Sequence, residues 1–376
     1  MRYLTPFLKN DLCKKMVFLD GPHQSGKTTL SQYFLKTEKG HYFNWDLDED
    51  RQDVLKKKWS RSDTLLIFDE LHKYPKWKNW IKGIYDTQKL EHQFLITGSA
   101  RLDVYRRGGD SLLGRYHHWR LHPFDLTERP AKMTHEECFK RLMTVGGFPE
   151  PFFDGDETSA RRWRKERFDR IIKDDIRDLE SIRNIQSLSL FVDLLRTRVG
   201  SPIVLSNMAE DLQVSQKTLK IWLEVLEKMY LLFVVRPYTA QVPRAIQKPP
   251  KVYFFDNADV IGDEGARFEN LVATHLLKRN HFLEDSTGYR FELHYLRDKE
   301  GREIDFAITR DKKITSLIEV KLSDDTVSKS LTYYSERLKP EKSLQIVAHL
   351  KRPYSKGNLE VVCATSELSR PLVLDN

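Results

Sequence analysis

Cysteine is scarce: Cys13, Cys138 and Cys363 are the only three among 376 residues, and they lie far apart. With no CxxC pair, the chain encodes neither a zinc ribbon nor a disulfide framework, and a reducing compartment is the expectation. Apolar residues nowhere continue for the roughly 20 positions that a bilayer crossing needs. Near the N-terminus, Lys9, Asp11, Lys14 and Lys15 interrupt the apolar positions, so no signal-peptide core forms. The expectation is a soluble, cytoplasmic protein with no membrane partner. Glycine and proline are modest at 17 and 15 residues, and no repeat or low-complexity tract is evident. Disorder as the main state is excluded, because 40% hydrophobic residues are enough to bury a core. An acidic surplus is missing too. Lys and Arg number 63 against 55 Asp and Glu, a net charge of +8. That surplus permits a nucleic-acid or phosphate partner without requiring one.

The length suits two or three domains of roughly 100–200 residues each. Up to about residue 125, short apolar runs alternate with helical patterns. Met16-Val17-Phe18-Leu19, His41 to Trp45, Thr64 to Phe68, Gln93 to Thr97 and Tyr116 to Leu121 read as strands. Helix-length segments between them predict a largely parallel α/β sheet covered on both faces. From about 126 to 235 the period turns helical, and from about 251 it becomes α+β. The expected domains are therefore 1–125, 126–250 and 251–376.

Gly21-Pro22-His23-Gln24-Ser25-Gly26-Lys27-Thr28 fits G-x-x-x-x-G-K-[ST], follows a strand and opens a helix. Such a loop curls so that successive N–H groups face phosphate oxygens. Gly21, Pro22, Gln24, Ser25, Gly26, Lys27, Thr28 and Thr29 are the expected nucleotide contacts. Lys27 neutralises phosphate charge and the Thr28 hydroxyl reaches Mg²⁺. Leu65-Leu66-Ile67-Phe68-Asp69-Glu70 ends an apolar strand in two carboxylates. Asp69 is placed to hold Mg²⁺ and Glu70 to polarise an attacking water, which favours hydrolysis over a bare switch. Thr97 or Ser99, in Leu95-Ile96-Thr97-Gly98-Ser99, is a candidate to orient that water; an ordinary turn after a strand is the alternative. Arg115, in Ser111-Leu112-Leu113-Gly114-Arg115, can meet the γ-phosphate in cis or reach a neighbouring subunit as a finger, with Arg101, Arg106 and Arg107 competing.

In this order, these motifs resemble the AAA-type ATPases widespread in bacteria and archaea, in which a domain of unknown function (family 4143) follows the ATPase. The resemblance extends over nearly the whole chain, including Gly147-Phe148-Pro149, the Asp175-Ile176 helix and the tail. His23 departs from the Arg often seen at that place. What the resemblance implies is a P-loop parallel-sheet fold and the use of ATP with Mg²⁺. It does not supply a biological role.

In the middle region, Asn207 to Leu212 and Thr218 to Met229 are helical patterns joined by Gln213-Val214-Ser215, and a strand follows at Leu231 to Val235. That order suits a winged helix-turn-helix in which Gln216, Lys217 and Lys220 face a groove. A helical packing module that buries Leu219, Trp222, Leu223 and Leu226 is the alternative. The basic run Arg161-Arg162-Trp163-Arg164-Lys165, with Arg167 and Arg170, either tracks phosphates or forms ion pairs with Asp169, Asp174, Asp175 and Asp178.

In the tail, period two puts Glu319 and Lys321 on one strand face, with Asp305 available from Glu303-Ile304-Asp305-Phe306. Asp305 and Glu319 are candidates to hold Mg²⁺, Lys321 to orient or deprotonate water, and Glu269 to complete the carboxylate set. This pattern, like the family tail, resembles restriction-endonuclease-like folds; an ion-pair cluster on the sheet is the alternative. The fold class expected is thus α/β, with a P-loop parallel-sheet ATPase domain, a helical, winged-helix-like middle and an α+β, restriction-endonuclease-like tail. The function expected is an ATP-hydrolysing enzyme driving a nuclease-like tail that faces nucleic acid, DNA before RNA, with a homo-oligomer left open. An ATP-dependent switch or DNA-binding regulator with a catalytically silent tail is the alternative.

Overall fold

The computed structural model describes residues 2–98, 112–172, 184–239 and 249–372. The chain forms two compact units: Met1–Pro123 with Lys228–Tyr230, and Phe124–Glu227 with Leu231–Asn376. Among the described residues, no helix is long and apolar enough to cross a membrane.

The first unit is built on five parallel strands, β1 (Met16–Asp20), β2 (Gly40–Asn44), β3 (Leu65–Asp69), β4 (Gln93–Thr97) and β5 (Tyr116–Arg120), in the order β2-β3-β4-β1-β5. The central strands β1 and β3 are buried at every residue, as a sheet covered on both faces requires, whereas edge strand β2 buries only Phe43. Phe68 stacks on Phe43 at 5.6 Å and meets Trp59 and Trp80 edge-on. Each such ring pair adds about 0.5–1.5 kcal/mol beyond burial and stiffens the strand that ends in Asp69. Because all five strands run the same way, the segments leaving β1, β3 and β4 meet at one end of the sheet. The segments entering the strands collect at the other.

The second unit opens with helices, among them Glu157–Arg170, Ile185–Arg196, Leu205–Asp211 and Gln216–Lys228. Its sheet contains β6 (Leu232–Pro237), β7 (Lys251–Phe254), β8 (Phe291–Arg297), β9 (Glu303–Arg310), β10 (Lys313–Lys321), β11 (Lys342–Val347), β12 (Tyr354–Lys356) and β13 (Leu359–Cys363). The order is β12-β13-β11-β10-β9-β8-β6-β7. β6 pairs with β7 and also with β8, through Arg236 and His294. β6, from the segment 126–250 expected as a separate domain, therefore belongs to the same sheet as the strands of 251–376, and apart from Lys228–Tyr230 the two segments fall in one compact unit. The sequence pattern changes at 251, but backbone pairing continues across that change.

Candidate functional site

At the end where β1 leaves the sheet, Gly21 has φ +144, and a Cβ there would lie 2.3 Å from the Leu121 carbonyl oxygen. Gly26, at φ +93, caps the helix Lys27–Phe34 in a left-handed conformation that L side chains resist. Both glycines are thus demanded by local geometry. Lys27 is buried, and its Nζ donates to the carbonyls of Gly21 at 3.0 Å and Pro22 at 2.7 Å. The Ser25 hydroxyl is buried without a hydrogen-bond partner. Gln24, Thr28 and Thr29 are exposed and Pro22 is buried.

β3 delivers Asp69 to the same end. The Thr28 hydroxyl donates to Asp69 Oδ2 at 2.8 Å, and Thr97 at the end of β4 donates to Oδ1. Tyr42 on β2 also donates to Oδ2, at 2.5 Å. Burial and this bond to Asp69 hold the Tyr42 hydroxyl in its protonated, donating form. Sequence reading missed Tyr42, because an edge-strand tyrosine carries no signal until its neighbour strand is known. Of the two hydroxyls considered for orienting water, Thr97 reaches Asp69. Ser99 lies outside the described residues, as do Arg101, Arg106, Arg107 and Ser111.

Glu70 has a left-handed backbone, φ +57. Burial raises its carboxyl above the usual range, against the charges of Lys27, Lys73 and His23. Glu70 Oε2 stands 3.6 Å from Lys73 Nζ and 3.6 Å from His72 Nε2, and Lys73 is itself anchored on Asp46 at 2.6 Å.

Arg115 corrects one expectation. It precedes β5, its carbonyl accepts from Met16 N–H at the start of β1, and its guanidinium is paired with Asp86 at 2.7 Å. The register sets Met16 beside Tyr116 and Asp20 beside Arg120. Arg115 is therefore about one strand length, roughly 13 Å, from the loop and is not a γ-phosphate ligand in cis.

In the second unit, Ile318 pairs with Phe306, so one further step sets Glu319 across from Asp305. Like charges in that relation repel. Asp305 Oδ2 accepts from Val320 N–H at 2.8 Å, and Glu319 Oε1 pairs with Lys321 at 2.8 Å. Glu319 Oε2 is buried without a hydrogen bond. Burial, and then the charge of Asp305, push both Glu319 and Glu269 up to about 7; burial raises Asp305 as well.

Glu269 faces the same cluster but not as a third ligand. Its Oε1 accepts from the Tyr253 hydroxyl at 2.6 Å and lies 3.5 Å from Lys251 Nζ. Among the described residues, no group of three or more His, Cys, Asp or Glu side chains is placed to hold a metal ion. The expectation that Glu269 completes a three-carboxylate set is corrected accordingly. Lys251, almost wholly buried, stands 2.7 Å from Glu303 and 3.9 Å from Asp305. Burial alone would lower its ammonium, but the charges of Glu269, Asp305 and Glu303 outweigh that and raise it. Glu303 was legible, since period two puts it on the face of Asp305. Lys251 was not, because a lysine opening a strand reads as solvated.

The middle region divides its residues by face. Lys217 and Lys220 are exposed while Leu219, Trp222, Leu223 and Leu226 are buried, and Ser215 caps the helix by accepting from Thr218 N–H at 3.0 Å. In the basic run, Arg161, Arg162, Lys165 and Arg170 are exposed, whereas Arg167 is buried against Asp259 at 3.7 Å and stacked on Phe148. Asp174, Asp175 and Asp178 lie outside the described residues.

A glycine-rich loop closing the first strand of a five-stranded parallel sheet, with a threonine from the adjacent β4 and an aspartate from β3 beyond it, defines a P-loop α/β domain. Residues 13–129 match the family model described as an AAA domain. Residues 136–258 and 264–367 match two domains of unknown function, DUF8612 and DUF4143. An uncharacterized protein of Methanocaldococcus jannaschii is 24% identical over 352 residues, 86% of this chain and 77% of its own length. One of Mycobacterium tuberculosis is 24% identical over 243 residues, 64% of this chain and 54% of its own length. Among solved structures, a Thermotoga maritima RuvB variant aligns with TM-score 0.31 and 17% identity over 66% of this chain and 90% of that one. Aeropyrum pernix ORC1 in complex with DNA aligns with TM-score 0.32 and 12% identity over 74% and 91%.

Proposed function

We propose that this chain hydrolyses ATP. The observation that carries the proposal is the convergence of Thr28 and Thr97 on the Asp69 carboxylate beside a loop of P-loop geometry, with Glu70 next in sequence. The buried, unpartnered Ser25 hydroxyl and the Thr28–Asp69 pair suit a nucleotide with its metal. Thr28 and Asp69 would hold Mg²⁺, which when bound supplies charge neutralisation at the phosphates. Lys27 exchanges its two loop carbonyls for phosphate oxygens. Glu70 takes a proton from the attacking water, and Thr97 and Tyr42 fix the carboxylate beside it. Arg115, standing at the far end, serves only a second copy of the chain, as a finger in trans.

The tail is proposed as a Mg²⁺-assisted phosphodiester site acting on nucleic acid. Asp305 and Glu319 hold the ion, Lys321 orients water, and Glu269 supports the cluster through Lys251 and Tyr253. Two carboxylates with the rest of the shell from water and substrate suffice for Mg²⁺. The buried Oε2 of Glu319, which has no hydrogen-bond donor, favours this reading, since a cation shared with Asp305 would satisfy it. One observation favours the second reading, an ATP-dependent switch with a silent tail: Lys251 already stands among Glu269, Glu303 and Asp305. Incubating the protein with linear and circular DNA and with RNA, with and without ATP and Mg²⁺, separates the readings. Phosphate release is expected in every Mg²⁺–ATP sample. Intact strands throughout would leave the switch.

Tyr42→Phe tests the shape of the Asp69 site. Losing one hydroxyl donor costs about 1 kcal/mol, so the Mg²⁺ concentration for half-maximal turnover should rise roughly fivefold. Turnover at saturating Mg²⁺ should change less. An unchanged Mg²⁺ dependence would make Tyr42 a packing residue.

A further inference from the structure

The +8 surplus is not shared between the units. Met1–Pro123 with Lys228–Tyr230 hold 23 Lys and Arg against 15 Asp and Glu, whereas the second unit holds 40 of each. The second unit, which contains the basic helix and the helix-turn-helix pattern, is electrically neutral overall. The first unit carries the whole excess.

Topology gathers much of that excess on one face. Lys14 and Lys15 enter β1, Lys39 enters β2, the segment Lys56 to Arg61 leads to β3, and Lys89 leads to β4. The backbone ties these entries together: Thr64 N–H donates to the Lys39 carbonyl at 2.7 Å, and Gln93 N–H to that of Thr64 at 2.7 Å. All of them stand at the end opposite the phosphate loop. Lys14, Lys39, Lys56, Lys57, Arg61 and Lys89 are exposed, and none has an ion-pair partner among the described residues. Lys58 alone in its run is paired, with Asp53 at 3.3 Å.

Three helices, Thr5–Leu12, Asp48–Lys56 and Trp77–Gln88, also end here, and helix C-termini attract cations on their own account. That effect fades within the last turn. Lys15, Lys39 and Arg61 lie outside any last turn, so the dipoles explain only part of the cluster. Hydrogen-bonding side chains are interleaved with the charges: Ser60, Ser62, Thr64 and Gln93. A polar cavity of about 220 Å³ opens among Lys14, Lys15, Lys89, Thr64 and Gln93, with Glu91 the carboxylate on its lining. Lysine and arginine mixed with hydroxyl and amide donors is the chemistry that grips phosphate oxygens along a nucleic-acid backbone.

We infer that this face of the first unit, centred on Lys14, Lys56, Lys57 and Arg61, docks the phosphate backbone of a duplex nucleic acid. The inference rests on the nucleic-acid partner proposed above and moves its contact surface from the helix Glu157–Arg170 to the ATPase unit. Contact here is with phosphates and carries no sequence readout.

The test is fluorescence anisotropy of a labelled duplex of about 30 base pairs between roughly 50 and 200 mM salt. The triple variant Lys14→Glu, Lys56→Glu, Arg61→Glu should lose about tenfold or more in affinity, with the log–log salt slope falling by roughly 2–3. Arg161→Glu, Arg162→Glu, Lys165→Glu should stay within about twofold. If the glutamate set fails to fold, the same positions changed to Gln should show the same order of effects. Loss of binding in the helix variant, with the first set unaffected, overturns the inference. If the parent protein binds no duplex even at the lowest salt, the partner reading itself falls. Binding instead to vesicles containing phosphatidylserine overturns the choice of nucleic acid.

Discussion

Glu70→Gln is expected to bind ATP as the parent does and to release phosphate roughly a hundred- to ten-thousandfold more slowly, the span that a positioned general base contributes. Gln keeps the shape of Glu and takes the same left-handed backbone, so Asp69 retains Thr28, Thr97 and Tyr42. Only the proton acceptor is removed. Lys27→Ala should fail earlier, at binding, because the loop then lacks its one ammonium; affinity for a fluorescent nucleotide should drop by about tenfold or more. A titration with that nucleotide and a phosphate-release assay distinguish the two lesions. Parental turnover by Glu70→Gln would remove Glu70 from the chemistry and leave its pairing with Lys73 and His72 as its function.

Lys251→Met is expected to have the largest effect on stability. It removes a buried ammonium from among Glu269, Glu303 and Asp305 and leaves carboxylates without compensation, which costs about 3–5 kcal/mol. Urea unfolding measures the loss. Mg²⁺ decides what the cluster is for: a site for a divalent ion should recover part of the lost stability, whereas a closed ion-pair cluster should recover none. Asp305→Asn combined with Lys251→Met should abolish that recovery. The pH dependence follows from the same groups. Glu269 and Glu319 rise from 4.5 in the unfolded chain to about 7 when folded, so the folded state holds the extra protons. Their contribution is complete below pH 4.5 and is lost as pH rises through 7. Asp256, pushed up to about 7 by burial and the charge of Asp259, acts in the same sense. In the absence of Mg²⁺ the second unit should therefore be less stable at pH 8 than at pH 5. The opposite slope would contradict the assignment.

The phosphate loop, the strand ending in Asp69-Glu70 and the parallel sheet around them were legible in the sequence for a physical reason. Their information is local. A loop between β1 and its helix needs Gly21 and Gly26 at fixed offsets, and a strand buried on both faces announces itself as an unbroken apolar run. Period two likewise put Glu319 and Lys321 on one face. Other features depended on which segments became neighbours. Tyr42 reaches Asp69 only because β2 lies beside β3. Lys251 enters the carboxylate cluster only because β7 and the helix Glu264–Thr287 converge there, so a lysine that reads as solvated is one of the most buried in the chain. Arg115 reads as near the loop in a motif list, yet parallel pairing of β1 with β5 sends it to the opposite end. Parallel pairing in the order β2-β3-β4-β1 likewise collects lysines from four separate strand entries onto one face, although composition shows only a net +8. Contiguity along the chain carries backbone shape; charge meets charge through pairing and packing, which only the tertiary structure decides.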